Sequence, residues 1–280
     1  LEILDEEDHF KEKAAFFSKR TIRPPKEITS VQTAQDALVA SMAERGRVDF
    51  PYMEKLYGKD RKQIISELSG QIFKDPASED WVLKDEYLSG NVRKKLTDAQ
   101  EAVAHNPEFT ENIEALLQVQ PEDIPAEEID VKIGSIWVPP EDYKQFILET
   151  LQLKGVDRVR LSVDYSQLTG GWRIQKRPLE TVLSSEVFGT NRKNAYEIME
   201  AALNLRLIEV RDRVEEEEGK VHYVLNAEDT IAAQSKQSEL QEKFREWIFE
   251  DTERRERLVR KYNDTMNNIV PRQYDGKYIR

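Results

Sequence analysis

Residues 33–83 read TAQDALVASMAERGRVDFPYMEKLYGKDRKQIISELSGQIFKDPASEDWVL, and this stretch decides the fold of the first part of the chain. Thr33, Asp49 and Asp60 each stand before a short run with apolar residues at helical spacing. Side chains of this kind accept hydrogen bonds from the unpaired amides at a helix start. A glycine follows each run: Gly46, Gly58 and Gly70. The pattern therefore predicts three short helices.

A β-hairpin is predicted directly after the third helix. Residues 71–73 and 81–83 are β-prone, and the polar residues 75–80 form the turn between them. Three short helices followed by a hairpin is the element order of a winged helix. In that fold the third helix enters a major groove and the hairpin touches the DNA backbone, so three exposed cations become candidate DNA contacts: Lys59, Arg61 and Lys62. Glu67 lies among them, and a winged helix that contacts only proteins remains the alternative.

The composition of the 280 residues excludes several classes of protein. A formal net charge of -12 argues against a surface that binds nucleic acid everywhere, but it leaves room for a local basic face. The chain has no cysteine, which excludes disulfides and thiolate zinc sites. No apolar run approaches the roughly 20 residues of a membrane helix, and no signal peptide is visible. We therefore expect a cytoplasmic protein that has no membrane partner.

Four segments are predicted along the chain, and together they make an α+β fold that is mostly helical. An N-terminal helix with an apolar stripe at Phe10, Ala14 and Phe17 precedes a linker at Arg23-Pro24-Pro25. The winged-helix-like unit with a helical extension comes next, then a second α+β unit with antiparallel hairpins, then two long helices. The predicted boundaries are 1–32, 33–121, 122–226 and 227–280.

The second α+β unit shows the strongest β pattern of the chain. Residues 131–138 are β-prone, and a helix is predicted from Glu141. From Arg158 to Tyr165 apolar and polar residues alternate, which predicts a strand with one buried face. Thr169-Gly170-Gly171 forms a hairpin turn, and residues 172–175 return.

A local excess of positive charge accompanies these strands. Between Lys154 and Lys193 eight basic residues face four acidic ones. Basic strands that carry aromatic residues can follow a phosphate backbone and stack a base. The candidate nucleic-acid contacts are Arg158, Arg160, Trp172, Arg173, Lys176, Arg177, Arg192 and Lys193. The alternative is a solvated sheet face with Trp172 in the core.

The last hundred residues are predicted to be largely helical. A helix at 191–205 is followed by strands at 207–210 and 221–225, which pair across an acidic loop and give a second winged-helix-like element. Asn226 and Asp251 begin the two long helices. The final helix has an apolar stripe at Leu258, Tyr262, Met266 and Ile269. Its arginines are predicted to pair with Glu253 and Glu256.

No catalytic site is visible in the sequence. The chain lacks the phosphate-binding GxxxxGK[ST] pattern as well as GxSxG, HExxH and GxGxxG, and its three histidines are far apart. Asn106-Pro107-Glu108-Phe109 is similar to the Asn-Pro-Pro-aromatic motif of adenine methylases, but it follows a helix and lacks the second proline. We interpret it as the end of one helix and the start of the next. No catalytic residue, metal or cofactor is predicted.

Four segments together resemble a known family. They are WVLKDEYLSGNVRKKL (81–96), GSIWVP (134–139), NAYEIMEAALNLR (194–206) and KFREWIFEDTERRERLVRKYNDTMNNIVPRQYDG (243–276). The chain resembles, over most of its length, a region of very large proteins of phages, plasmids and conjugative elements. These proteins join an adenine-specific DNA methylase to a superfamily II, Swi/Snf-like DEAD/DEAH helicase.

The resemblance implies a role beside a motor and no activity of the chain itself. In that family this region precedes the helicase, whose first nucleotide-binding elements should begin just beyond Arg280. The expected function is therefore that of a non-catalytic accessory region that engages DNA, with the missing helicase domain as a partner of the C-terminal helices. The alternative is a structural linker that makes only protein–protein contacts.

Overall fold

A computed structural model describes residues 2–4, 10–13, 17, 28–175, 180–215 and 221–274. These residues form two compact units. The first unit holds the described residues up to Gly90, together with Lys95–Val119 and the described residues from Pro271 on. The second unit holds Asn91–Lys94 and Gln120–Val270. The class is α+β, with short antiparallel hairpins between helices.

The first described segments are strands. β1 (Glu2–Leu4) pairs antiparallel with β2 (Phe10–Lys13). The helix predicted for the N-terminal residues is therefore wrong where the chain is described. Ala14 and the linker at residues 23–25 lie outside the described residues.

Three helices follow where the sequence predicted them: α1 (Ala34–Arg45), α2 (Phe50–Tyr57) and α3 (Arg61–Glu67). The side chains of Thr33, Asp49 and Asp60 accept backbone amides at the three helix starts. Gly46 and Gly58 end α1 and α2, whereas α3 ends at Leu68, two residues before the predicted Gly70.

The predicted hairpin completes a winged helix. β3 (Ile72–Lys74) pairs antiparallel with β4 (Trp81–Leu83), with Phe73 opposite Val82. The apolar sides of the helices and the hairpin meet in one core, which includes Leu38, Met53 and Ile64.

A helical extension follows the wing. It comprises α4 (Lys84–Tyr87), the two-residue strand β5 (Gly90–Asn91), α5 (Val92–Val103), a 3₁₀ turn (Pro107–Phe109) and α6 (Thr110–Leu117). Asn106 Oδ1 accepts the Glu108 amide at 3.0 Å and thereby starts the 3₁₀ turn. The interpretation of Asn106-Pro107 as a helix boundary is confirmed.

The second unit begins with a 3₁₀ turn (Ala126–Glu128) and a loop, and then forms α7 (Pro140–Thr150). Residues 131–138 are not a strand. Val131, Ile133 and Val138 of this loop are nevertheless buried, because they pack into the main core of the unit.

Only part of the alternating segment 158–165 forms a strand. α8 (Val156–Arg160) takes the first residues, and β6 (Ser162–Ser166) begins after Leu161. Val159 is 79% exposed, whereas Leu161 and Val163 are buried. The strand prediction is therefore wrong for 158–160 and right from Ser162 on. β7 (Gly171–Gln175) returns antiparallel, with Tyr165 opposite Trp172.

A π-helical turn (Leu183–Val187) leads to α9 (Ala195–Leu203), which begins at a capping box of Asn194 and Glu197. The next hairpin is displaced from its prediction. β8 (Arg211–Glu215) pairs with β9 (Val221–Leu225), and residues 207–210 are not a strand.

Two long helices end the unit. α10 (Ala227–Trp247) begins at Asn226 and α11 (Thr252–Thr265) at Asp251, as predicted, and the short strand β10 (Ile269–Val270) follows. Leu240, Phe244 and Leu258 from these helices belong to the same core as α7, β6, β7 and α9.

Candidate nucleic-acid interface

The exposed start of α3 carries the three cations predicted for the winged helix. Asp60 Oδ1 accepts the Gln63 amide at 2.9 Å, which fixes the first turn of α3. Ile64 and Leu68 are buried and hold the helix against the core. The cations themselves are exposed, and among the described residues none of them forms a hydrogen bond or ion pair: Lys59, Arg61 and Lys62.

Aromatic rings support the Arg61 side chain. Its guanidinium lies 4.5 Å from the centroid of the Phe50 ring, and Phe50 meets Trp81 edge to face at 5.5 Å. A cation held over a ring face keeps its charge accessible while its stem packs. The Phe50 ring therefore positions the Arg61 guanidinium while its charge stays exposed.

Two grooves flank α3, and Arg61 and Trp81 line both. The first, about 460 Å³, runs from the α1–α2 turn to the wing. The second, about 450 Å³, lies between α3, the wing and residues 108–112. Lys74 adds a fourth cation there, with its Nζ 5.9 Å from the Phe109 ring centroid. Lys74 was not among the cations predicted from the sequence. Its position as the last residue of β3, directly before the turn of the wing, could have indicated it.

Glu67 is held away from these cations. Its carboxylate accepts the Tyr57 hydroxyl at 2.8 Å and Gln63 Nε2 at 3.0 Å. The hydrogen bond to Glu67 raises the pKa of Tyr57, with burial as the second cause. Six residues of helix separate Glu67 from Arg61, which is about 9 Å along the axis. The negative charge thus lies at the opposite end of the helix from the cations.

The turn of the wing is acidic. It carries three carboxylates within six residues, those of Asp75, Glu79 and Asp80. Asp75 Oδ1 accepts the Ala77 amide at 2.9 Å, and the Asp75 amide donates to the Asp80 carbonyl at 2.8 Å. This turn would repel a phosphate backbone, which is unfavourable for the backbone contact expected of the hairpin.

Trp172 does not offer a stacking surface. Its side chain is 3% exposed, its Nε1 donates to the Gly134 carbonyl at 3.1 Å, and its ring packs on Tyr143. The alternative that placed Trp172 in the core is confirmed, and its role as a base platform is wrong. The reason is that the inward face of β7 points at α7 and α9.

Three other cations of the basic region between Lys154 and Lys193 are exposed: Arg158, Arg160 and Arg173. Arg158 and Arg160 lie on α8, and neither forms an ion pair among the described residues. Arg173 points outward from β7, directly opposite Asp164 on β6. Lys176 and Arg177 lie outside the described residues.

Arg192 and Lys193 are engaged within the protein. Arg192 Nη1 lies 2.8 Å from Asp212 and 3.2 Å from Asp229, and its Nη2 donates to the Arg211 carbonyl. The hydrogen bond from Arg192 is the main reason why the pKa of Asp212 falls below its ordinary value. Lys193 pairs with Glu197 at 3.1 Å. These two cations join elements of the second unit, which leaves them poorly suited to bind phosphate.

The arginines of α11 also serve the fold. Arg257 makes a two-pronged contact with buried Asp142, at 2.6 and 3.1 Å. Arg254 lies over the Trp247 ring at 3.5 Å and donates to two carbonyls at the end of α10. The prediction that these two arginines pair with Glu253 and Glu256 is therefore wrong, because acceptors and an aromatic ring on neighbouring elements hold their guanidinium groups.

The apolar stripe of α11 is largely covered. Leu258 is buried, and Tyr262 packs edge to face on Trp137. Only the far end of the stripe is open, where Met266 is 50% and Ile269 is 64% exposed.

The described part of the chain holds neither a metal-binding cluster nor a membrane-spanning helix. Within it, no three histidine or acidic side chains come together in a way that could hold a metal ion. None of its helices has the length and apolar character that a membrane span requires.

Comparison with known families divides the chain into two matched regions. Residues 30–82 match the family described as "Probable helicase, winged helix domain". Residues 132–268 match the family described as "Domain of unknown function (DUF8437)". No curated protein and no solved structure matches the chain. The chain therefore contains a region similar to the winged helix of probable helicases, followed by a region similar to a domain whose function is not known.

Proposed function

We propose that this chain is a non-catalytic accessory region of a helicase protein and that it contacts duplex DNA through the start of α3. The observation that carries the proposal is the group of three exposed cations on a winged-helix scaffold, Lys59, Arg61 and Lys62, none of which has a hydrogen-bond or ion-pair partner among the described residues. The match of this scaffold to the winged helix of probable helicases supports the same assignment.

The charge distribution restricts how DNA would bind. Three cations lie at the N-terminal end of α3 together with one carboxylate, Asp60, whereas the turn of the wing carries three carboxylates and no cation. We therefore propose that α3 approaches the duplex with its first turn and that the wing stays off the phosphates. Contacts of this kind mainly supply affinity and orientation, whereas sequence selectivity depends on contacts to base edges.

The test is a salt titration of DNA binding by the full chain, measured by fluorescence anisotropy of a labelled duplex. Three phosphate contacts predict a slope of about -2.7 for log K against log salt concentration. Changing Lys59, Arg61 or Lys62 singly to Gln should reduce the slope by about one unit. Lys55→Gln, an exposed lysine on α2, is the matched control and should leave the slope unchanged. If the variant with all three cations changed to Gln bound the duplex as tightly as the parent chain, the proposal would be contradicted.

A second contact is proposed on the exposed cations of the second unit, Arg158, Arg160 and Arg173, with Lys176 and Arg177. Arg158→Glu with Arg160→Glu should weaken binding to single-stranded or forked DNA more than binding to blunt duplex, if this surface follows a free strand. An equal loss on all three DNA forms would instead indicate a nonspecific charge effect.

A scaffold that contacts only proteins is the second candidate function. The acidic turn of the wing and the internal pairing of Arg192 favour it, because both reduce the positive surface. It predicts no DNA binding even at low salt, where electrostatic attraction is strongest.

The wider setting of the proposal rests on the sequence resemblance. On this basis we propose that the chain is part of a larger protein from a mobile element, which also carries a helicase motor and an adenine methylase. The exposed end of the α11 stripe, at Met266 and Ile269, is the proposed contact with the motor. Met266→Asp with Ile269→Asp should weaken binding of the chain to a separately expressed superfamily II helicase domain and leave DNA binding unchanged.

A further inference from the structure

The second unit covers the open edge of its first hairpin with helix side chains. On the outer edge of β7, the Trp172 amide donates to Asn204 Oδ1 and the Trp172 carbonyl accepts Asn204 Nδ2, both at 2.9 Å. The Ile174 amide donates to Glu200 Oε2 at 2.9 Å. Asn204 and Glu200 thus take the place of a neighbouring strand.

The backbone of residues 207–210, directly before β8, is hydrogen-bonded to helix side chains in the same way. The Ile208 and Val210 amides donate to Gln237 Oε1 and Thr230 Oγ1, each at 3.0 Å. Gln234 Nε2 donates to the Ile208 carbonyl at 3.2 Å. Three polar side chains of α10 therefore satisfy this backbone, two of them buried.

The outer edge of β9 has no such cover. Every second residue of an antiparallel strand directs its amide and carbonyl away from its partner. In the described part of the chain, no side chain and no further strand hydrogen-bonds to the backbone of Val221, Tyr223 or Leu225, the three residues of β9 whose amides and carbonyls face that edge. All five residues of β9 are exposed, with Tyr223 at 63% and Leu225 at 51%.

The two edges of the β8–β9 hairpin differ in charge. β8 reads RDRVE, and four of its five residues are charged. β9 reads VHYVL and carries no lysine, arginine, acid or proline. Charges and prolines are the means by which edge strands avoid pairing with other chains. The β8 edge is thus protected against strand addition, and the β9 edge is open to it.

We propose that the β9 edge pairs antiparallel with the β9 edge of a second copy of this chain. A two-fold register centred on Tyr223 uses the whole strand and places Val221 opposite Leu225 on one face and His222 opposite Val224 on the other. Apolar residues then meet apolar residues at the ends of the strand. A two-fold contact of this type uses the same patch on both copies, and it joins the two hairpins into one four-stranded sheet.

A second copy fits this edge better than a charged partner. VHYVL offers no formal charge that could select a basic or acidic segment, whereas its apolar residues are complementary to themselves. A five-residue strand pair buries little surface, below the roughly 1,200 Å² of a stable interface. The dimer should therefore be reversible, with dissociation at micromolar concentrations.

Disulfide trapping tests the register directly, because the chain has no cysteine of its own. Opposed residues of an antiparallel pair have Cα atoms about 4.5 or 5.5 Å apart, which lies within the range that a disulfide bridges. The full chain with Tyr223→Cys should form a covalent dimer under oxidised glutathione. Val214→Cys, on the protected strand β8, is the control and should remain monomeric. Equal rates of cross-linking would overturn the proposal.

Charge exchange at the same position gives a second readout, measured by analytical ultracentrifugation. Tyr223→Lys and Tyr223→Glu should each be monomeric, because like charges meet at the two-fold axis. An equal mixture should recover the dimer, which only a self-pairing contact predicts. A monomeric parent chain at about 100 μM, well above the micromolar dissociation expected for a small interface, would overturn the proposal. So would a dimer that survives Tyr223→Lys.

Discussion

At the scale of single residues, Gly134 joins three parts of the second unit. Its carbonyl accepts the Trp172 indole, and its φ is +89°. A Cβ at this position would lie 2.1 Å from the Leu203 carbonyl oxygen at the end of α9. The loop at 131–138, β7 and α9 therefore meet at a point where only glycine fits.

Gly134→Ala is predicted to destabilise the protein by about 3 kcal/mol, because a positive φ and a backbone clash act together. Urea unfolding followed by tryptophan fluorescence measures the change. Gly46→Ala is the control: Gly46 has a left-handed backbone with a φ of +69°, and its added Cβ would meet no atom within 4 Å. The control should lose only about 1–2 kcal/mol, and equal losses would show that the clash at Gly134 is relieved by movement of α9.

At the scale of elements, α11 is tied to the loop before α7 by a cluster of polar groups. Asn263 is buried, and its amide group bonds both the amide and the carbonyl of Ile124. Asp123 accepts Arg93 at 2.6 Å and Arg260 at 3.0 Å. Burial raises the pKa of Asp123, but the hydrogen bonds and charges of the two arginines outweigh it, so the pKa lies below its ordinary value.

This shift predicts how the contact responds to acid. A carboxyl group whose pKa is lowered by folding stabilises the protein above its unfolded pKa of about 4, and the stabilisation is lost as pH falls through the folded pKa. Asp123→Asn should lower the free energy of unfolding at pH 7 by about 1 kcal/mol, since the side chain is half exposed. The difference from the parent chain should shrink steadily below pH 4. Asp130→Asn, at an exposed acid without an ion pair in the described structure, is the control and should leave the free energy of unfolding at pH 7 unchanged.

Element starts were predictable from the sequence because capping is local. Thr33, Asp49, Asp60, Asn226 and Asp251 each accept an amide within three residues, which depends on nothing distant. Strand limits were less predictable. Residues 158–160 fit a helix and a strand equally well by periodicity.

Residues 207–210 have a β-like sequence, but α10 rather than a strand provides their hydrogen-bond partners. The candidate site was likewise predictable only where it depends on residues that are close in sequence. The charges of Lys59, Arg61 and Lys62 were readable from the sequence. The internal pairing of Arg192 depended on Asp212 and Asp229, which are 20 and 37 residues away.

At the scale of the whole molecule, the described chain has two main hydrophobic cores. The second core includes residues from Ile129 to Leu258, so the two C-terminal helices share it with α7 and α9. Phe244 of α10 is fully buried, stacks on Tyr143 at 5.3 Å and meets Phe146 edge to face at 5.2 Å. The predicted boundary at residue 226 remains a hypothesis about independent folding, and this shared core provides its test.

Phe244→Ala removes the ring that joins α10 to α7, and we predict a loss of about 3–5 kcal/mol from the second core. Because one core holds all the elements, hydrogen exchange measured by mass spectrometry should accelerate together in residues 140–150, 195–203 and 240–258. Ile231→Ala, also on α10 but 68% exposed, is the control and should leave exchange unchanged. Acceleration confined to residues 227–265 would show instead that the two helices open as a domain of their own, as the boundary at 226 implies.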